Sequence, residues 1–73
     1  MKSIRKITIG TNYKQDAMHY IVGQKVINNK WEIHLIKESD DGYELFIEQD
    51  DEVQPWKFFN KNMGISVEYN FVQ

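Results

Sequence analysis

The stretch KWEIHLIKESDDGYELFIEQ, residues Lys30 to Gln49, decides the fold. Apolar and polar residues alternate on both sides of Asp40-Asp41-Gly42. Period-two alternation marks half-buried strands. Asp-Asp-Gly is hairpin chemistry, with Gly42 suited to the left-handed position of a three-residue loop. That loop pairs Leu35 with Ile47 on the core face. On the outer face it pairs Ile36 with Phe46 and His34 with Glu48. Trp31, Ile33 and Leu35 then face inward with Tyr43, Leu45 and Ile47, and Ile36 and Phe46 face outward.

Working outward, Ser3 to Ile9 reads as a strand with Arg5, Ile7 and Ile9 on one face. Gly10-Thr11-Asn12 breaks it, and Tyr13 to Ala17 fits a loop or one helical turn. Met18 to Ile27 reads as one strand bent at Gly23. Asn28-Asn29 is a turn signal, because Asn tolerates positive φ. Asp50 to Gln54 reads as an acidic loop. Trp56 to Phe59 is a short strand with Pro55 before it, where the missing N–H does least harm. Asn60 to Gly64 is a turn, and Ile65 to Phe71 is the last strand.

The expected fold class is all-β: a small barrel or a curled antiparallel sheet of five to six short strands. From Val22-Gly23-Gln24-Lys25-Val26 onward, the order of features resembles the SH3-like barrels. It runs through two long strands, a tight turn, Trp56-Lys57-Phe58-Phe59, a second turn and a final strand. The resemblance covers roughly residues 20 to 71 and implies a fold, not a role. Residues 1–73 are expected to form one domain, with strand 3–9 packing on a barrel of roughly 18–71.

A chain of 73 residues has a thin stability margin. It has no cysteine, which excludes disulfides, zinc–thiolate sites and thiol catalysis. Hydrophobic residues make up 41% of the chain, sufficient for a core. No apolar run approaches the roughly 18 residues of a membrane span. A cytoplasmic location is expected, with no membrane and no cofactor.

The net charge of −2 conceals a division. Met1 to Lys37 holds seven cations and two acids, and Glu38 to Gln73 holds nine acids and two cations. Eight carboxylates and no cation lie between Glu38 and Glu52. Asp40-Asp41 and Asp50-Asp51-Glu52 would stand at opposite ends of one strand, with Glu44 and Glu48 between them on its outer face. A row of like charge costs self-repulsion. It also attracts a basic partner and speeds encounter. Phe46 and Trp56 are the expected aromatic anchors beside it, since aromatics carry much interface energy. The expected partner-binding set is Asp40, Asp41, Glu44, Phe46, Glu48, Asp50, Asp51, Glu52 and Trp56. Solvation of a small domain accounts for the same acids without any partner.

The alternative is a nucleic-acid or nucleotide site built from Lys2, Arg5, Lys6, Tyr13 and Lys14, with cations for phosphate and an aromatic for stacking. An edge strand also carries lysine simply to prevent aggregation. His19 and His34 lack metal-ligand spacing, so no metal is expected. Ser3, Ser39 and Ser66 have no base nearby in sequence, so no catalytic residue is expected. A homo-oligomer formed by the first or last strand is a third reading.

Three stretches carry a second resemblance: Asp16 to Gly23, Glu52 to Lys57 and Ile65 to Asn70. They are similar to parts of small proteins of T4-type bacteriophages. This implies an accessory protein in the host cytoplasm that binds and modulates a host protein or a defence system. It implies no particular functional residue.

Overall fold

The computed structural model describes residues 2–10 and 17–71, with the side chains of residues 2 and 71 excepted. Among the described residues, seven strands follow in order. They are β1 (Lys2–Ile9), β2 (Met18–Ile21), β3 (Lys25–Val26), β4 (Trp31–Glu38), β5 (Gly42–Gln49), β6 (Glu52–Asn60) and β7 (Ile65–Phe71). A 3₁₀ turn, Lys61–Met63, joins the last two. Its start is capped by Asn60 Oδ1, which accepts from the Asn62 N–H at 2.8 Å. No helix among the described residues is long and apolar enough to cross a membrane.

The strands form two antiparallel sheets, β2-β1-β7 and β3-β4-β5-β6. They are joined where the chain crosses between them. The Val22 N–H donates to the Arg5 carbonyl at 2.9 Å, in the first sheet. The next N–H, of Gly23, donates to the Ile33 carbonyl at 2.9 Å, in the second. The single strand expected from Met18 to Ile27 is therefore two strands, divided by a turn that moves the chain between sheets. Gly23 carries φ 96°, a conformation open to glycine and costly to other residues. The product is a curled, all-β half-barrel with β1 as the central strand of the first sheet.

The core lies between the sheets. Ile4, Ile7 and Ile9 of β1 meet Ile33, Ile36, Leu45 and Ile47 of the second sheet, closed off by Tyr43 and Phe59. Ile7, Ile33 and Leu45 have no exposed surface. Tyr20 of β2 touches Phe59 and Trp56 of β6 at ring separations of 5.3 and 5.9 Å.

Three bulges set which side chains reach this core. Each inserts one unpaired residue and resets the alternation beyond it. In β1 the register shifts between Ile4 and Lys6. Arg5, expected on the face of Ile7 and Ile9, is exposed, and Ile4 is buried instead. In β4 the shift falls between Ile33 and Leu35. The observed pairs are Ile33–Ile47, Leu35–Phe46 and Ile36–Leu45, not Leu35–Ile47 and Ile36–Phe46. Ile36 is thus in the core at 7% exposure, and Leu35 is outside at 36%. The third bulge lies in β6 at Trp56, between the pairs Phe46–Pro55 and Leu45–Lys57.

Two loops also differ from expectation. Gly42 does not adopt a left-handed conformation and instead begins β5. The Ser39 N–H and hydroxyl both donate to its carbonyl, at 2.9 and 3.3 Å. The acidic loop Asp50–Gln54 contracts to the two-residue turn Asp50-Asp51, with φ 51° and 67°. Residues Glu52 to Pro55 belong to β6 and pair with Gln49 to Phe46. Pro55 is tolerated because β6 is a sheet edge.

The turn expected at Asn28-Asn29 is present, and it also takes in Ile27. All three residues have positive φ, of 52°, 60° and 63°. Asparagine accepts this region, whereas a β-branched residue does not. Ile27 is 45% exposed, so its side chain recovers little by packing. Ile27→Asn is expected to raise stability by about 1 kcal/mol, through relief of that strain. Urea unfolding at equilibrium measures it, and an unchanged or lower midpoint would contradict the strained turn.

Candidate functional site

The outer face of the second sheet is built by β4, β5 and β6. Antiparallel partners share a face, so the register reads out its composition. One row across the strands is Lys37, Glu44 and Phe58. The middle row is Leu35, Phe46 and Pro55, and the third is Glu32, Glu48 and Val53. Leu35, Val53 and Phe58 are exposed, the last at 51%. An apolar patch led by Phe46 and Phe58 therefore sits among the carboxylates of Glu32, Glu44 and Glu48. On the first sheet, by contrast, the outer face is mostly polar, with Ser3, Lys6, Thr8, His19, Ser66, Glu68 and Asn70 beside the apolar Ile21.

Of the residues expected to bind a partner, Glu44, Phe46 and Glu48 come together on this face. Asp40-Asp41 and Asp50-Asp51-Glu52 flank it at the two ends of β5, roughly 26 Å apart for eight extended residues. Trp56 does not join them. The bulge turns it inward onto Tyr20, and the Lys57 ammonium lies 5.0 Å from its ring centre. Leu35, Glu32 and Val53 are on the face although the sequence did not point to them. Phe58 is the exposed aromatic of the pair Phe58-Phe59, while Phe59 is buried.

Carboxylates on this face are unevenly compensated. Glu32 and Glu48 stand directly opposite each other. Lys25 lies 3.5 Å from Glu32, and the His34 ring makes a polar contact with Glu48 at 3.5 Å. The His34–Glu48 contact expected from the sequence therefore forms, although their backbones are not partners. Glu44 faces Lys37 across the strands without an ion pair within 4 Å.

The two tips differ as well. Next to Asp40-Asp41, Lys61 donates to Glu38 at 3.1 Å, and its backbone N–H donates to the Asp41 carbonyl. That hydrogen bond to Glu38 raises the Lys61 pKa above its ordinary value. Tyr69 donates to the same carboxylate at 3.3 Å, and desolvation together with the Glu38 charge pushes its phenol up. The tip Asp50-Asp51-Glu52 has no cation within ion-pair distance among the described residues. Negative charge is therefore least compensated around Asp50, Asp51, Glu52 and Glu44.

The basic set is less coherent. Tyr13 and Lys14 lie outside the described residues, as does the side chain of Lys2. Arg5 and Lys6 share the single carboxylate of Glu68, at 3.4 and 3.6 Å. Their positive field is partly cancelled where a phosphate would approach. Among the described residues no group of three or more His, Asp or Glu side chains could hold a metal ion. Comparisons with protein-family models, curated proteins and solved structures find no match.

Proposed function

We propose that this chain is a small non-catalytic protein-binding module. It docks the outer face of its second sheet on a basic, partly apolar surface of another protein. The observation that supports this reading most is the composition of that face. Phe46, Phe58, Leu35 and Val53 are exposed or half-exposed beside Glu44 and Glu48. Exposed apolar side chains in a contiguous patch favour contact with a partner. Surrounding carboxylates give that contact its sign and speed.

The curled sheet is compatible with a barrel-like fold, which by itself assigns no role. On this reading, and with the resemblance to proteins of T4-type phages, the partner is a host protein in the host cytoplasm, inhibited or redirected by occupation of its basic surface; the resemblance itself names no target. A nucleic-acid role for Arg5 and Lys6 has less support, because Glu68 already engages both.

Capture from a bacterial lysate tests the proposal. Wild type and Phe46→Ser/Phe58→Ser are immobilised at equal density. One host protein with a basic surface is expected on the wild type and at least tenfold less on the variant, in keeping with the loss of two aromatic anchors worth about 1–2 kcal/mol each. Equal recovery on both would reject this face as the binding site.

A further inference from the structure

The two long edge strands, β6 and β7, are of opposite character; the other two edges, β2 and β3, span only four and two residues. The edge of β6 is guarded in three ways that prevent strand pairing. Pro55 lacks an N–H, the bulge at Trp56 breaks the line of the strand, and Lys57 stands on the core-facing side of the edge opposite Leu45. The edge of β7 has none of these. Its residues Ile65 to Phe71 contain no proline and no lysine. The unpaired residue of the β1–β7 bulge, Arg5, belongs to β1, so β7 itself runs without interruption.

Alternation fixes which backbone groups this edge presents. The Gly64 carbonyl accepts from the Gly10 N–H at 3.1 Å and so faces β1. Ser66 and Glu68 then also turn their backbone groups to β1, and Ile65 and Val67 turn theirs outward. The side chains of Ile65 and Val67 are only partly buried at this margin of the core. A chain of this size gains more from added burial than a larger one does.

We infer that β7 is the dimerisation edge of this protein, and that its occupant is the β7 strand of a second copy. Antiparallel pairing about a two-fold axis at Val67 joins the three-stranded sheets of both copies into one continuous sheet. On the core face, Val67 meets its own counterpart and Ile65 lies opposite the second copy's Tyr69. On the outer face, Ser66 lies opposite the second copy's Glu68, where a hydroxyl donor meets a carboxylate. Centring the axis on Glu68 instead would set two carboxylates face to face, which is unfavourable. The edge is therefore self-complementary in hydrogen bonding, with the Ser66 hydroxyl as donor and the Glu68 carboxylate as acceptor. It lies on the opposite sheet from the acidic aromatic face, so dimerisation leaves that face open.

The absence of cysteine makes the register directly testable. Ser66→Cys and Glu68→Cys chains are prepared separately, and both positions are exposed. Under mild oxidation a mixture of the two is expected to form a covalent heterodimer. Each variant alone should form little, because like positions are then diagonal neighbours roughly 7–8 Å apart, too far to bridge easily. Sedimentation equilibrium of the wild-type chain should show a species of twice 8.8 kDa that grows with concentration. A monomer up to millimolar concentration would overturn the inference. So would cross-linking in which single variants match the mixture, or a wild-type dimer whose mixed variants do not cross-link.

Discussion

Gly42→Ala is expected to cost about 3 kcal/mol or more, a large part of the roughly 4–10 kcal/mol that stabilises a chain of this length. The reason is close approach and not backbone freedom. A Cβ at this position would overlap the carbonyl oxygen of Phe59, and would also lie 2.8 Å from the Phe58 ring and 3.0 Å from Cα of Asn60. Two of these three neighbours are backbone atoms of β6, which cannot withdraw without breaking the pairs Gly42–Asn60 and Tyr43–Phe59. Moving β6 would also uncover Phe59, a core residue. Gly10→Ala is the control. Its new Cβ would meet only the Gly64 carbonyl at 3.5 Å, an ordinary contact. Thermal unfolding of the two variants should separate them by well over ten degrees, at the several degrees per kcal/mol usual for small domains. Equal midpoints would mean that β5 and β6 do not approach as closely as described.

The second large effect is expected in association kinetics. Glu44→Lys/Glu48→Lys reverses two carboxylates at the centre of the proposed interface without touching the core. Both side chains are on the outer face beside Phe46, so the fold should survive. Steering by a charged patch changes encounter rates by about 10- to 1,000-fold at low ionic strength. The double reversal should slow association with the basic partner by about tenfold or more. Asp40→Lys/Asp41→Lys should matter less, because Lys61 already stands beside that tip.

The strands were largely legible from the sequence, because alternation survives along most of β1, β5 and β7. The Asn28-Asn29 turn was legible because asparagine accepts positive φ and few residues do. The bulges were not. One inserted residue leaves no compositional mark where its neighbours are also apolar, as in Leu35-Ile36 and Trp56-Lys57-Phe58-Phe59. In β4 that single residue exchanged an inward leucine for an inward isoleucine and moved Leu35 onto the candidate site. In β6 it removed Trp56 from that site. Glu52-Val53-Gln54-Pro55 reads as a loop because acids and proline are rare inside sheets. It is a strand because an edge position excuses both, and because Asp50-Asp51 turns the chain in two residues. Within the site, the acids of β5 were found from sequence because their spacing is regular. Leu35 and Val53 were missed because their exposure depends on register alone.

The central claim is that the acidic aromatic face of the second sheet binds a basic protein surface. The most direct test is the association rate of wild type and Glu44→Lys/Glu48→Lys with the captured host protein, followed by stopped flow from low to high salt. The wild-type rate should fall steeply as screening shortens the reach of the carboxylates, and the variant should be slow and nearly flat across the series. Identical rates and identical salt slopes for the two proteins would show that the partner docks elsewhere.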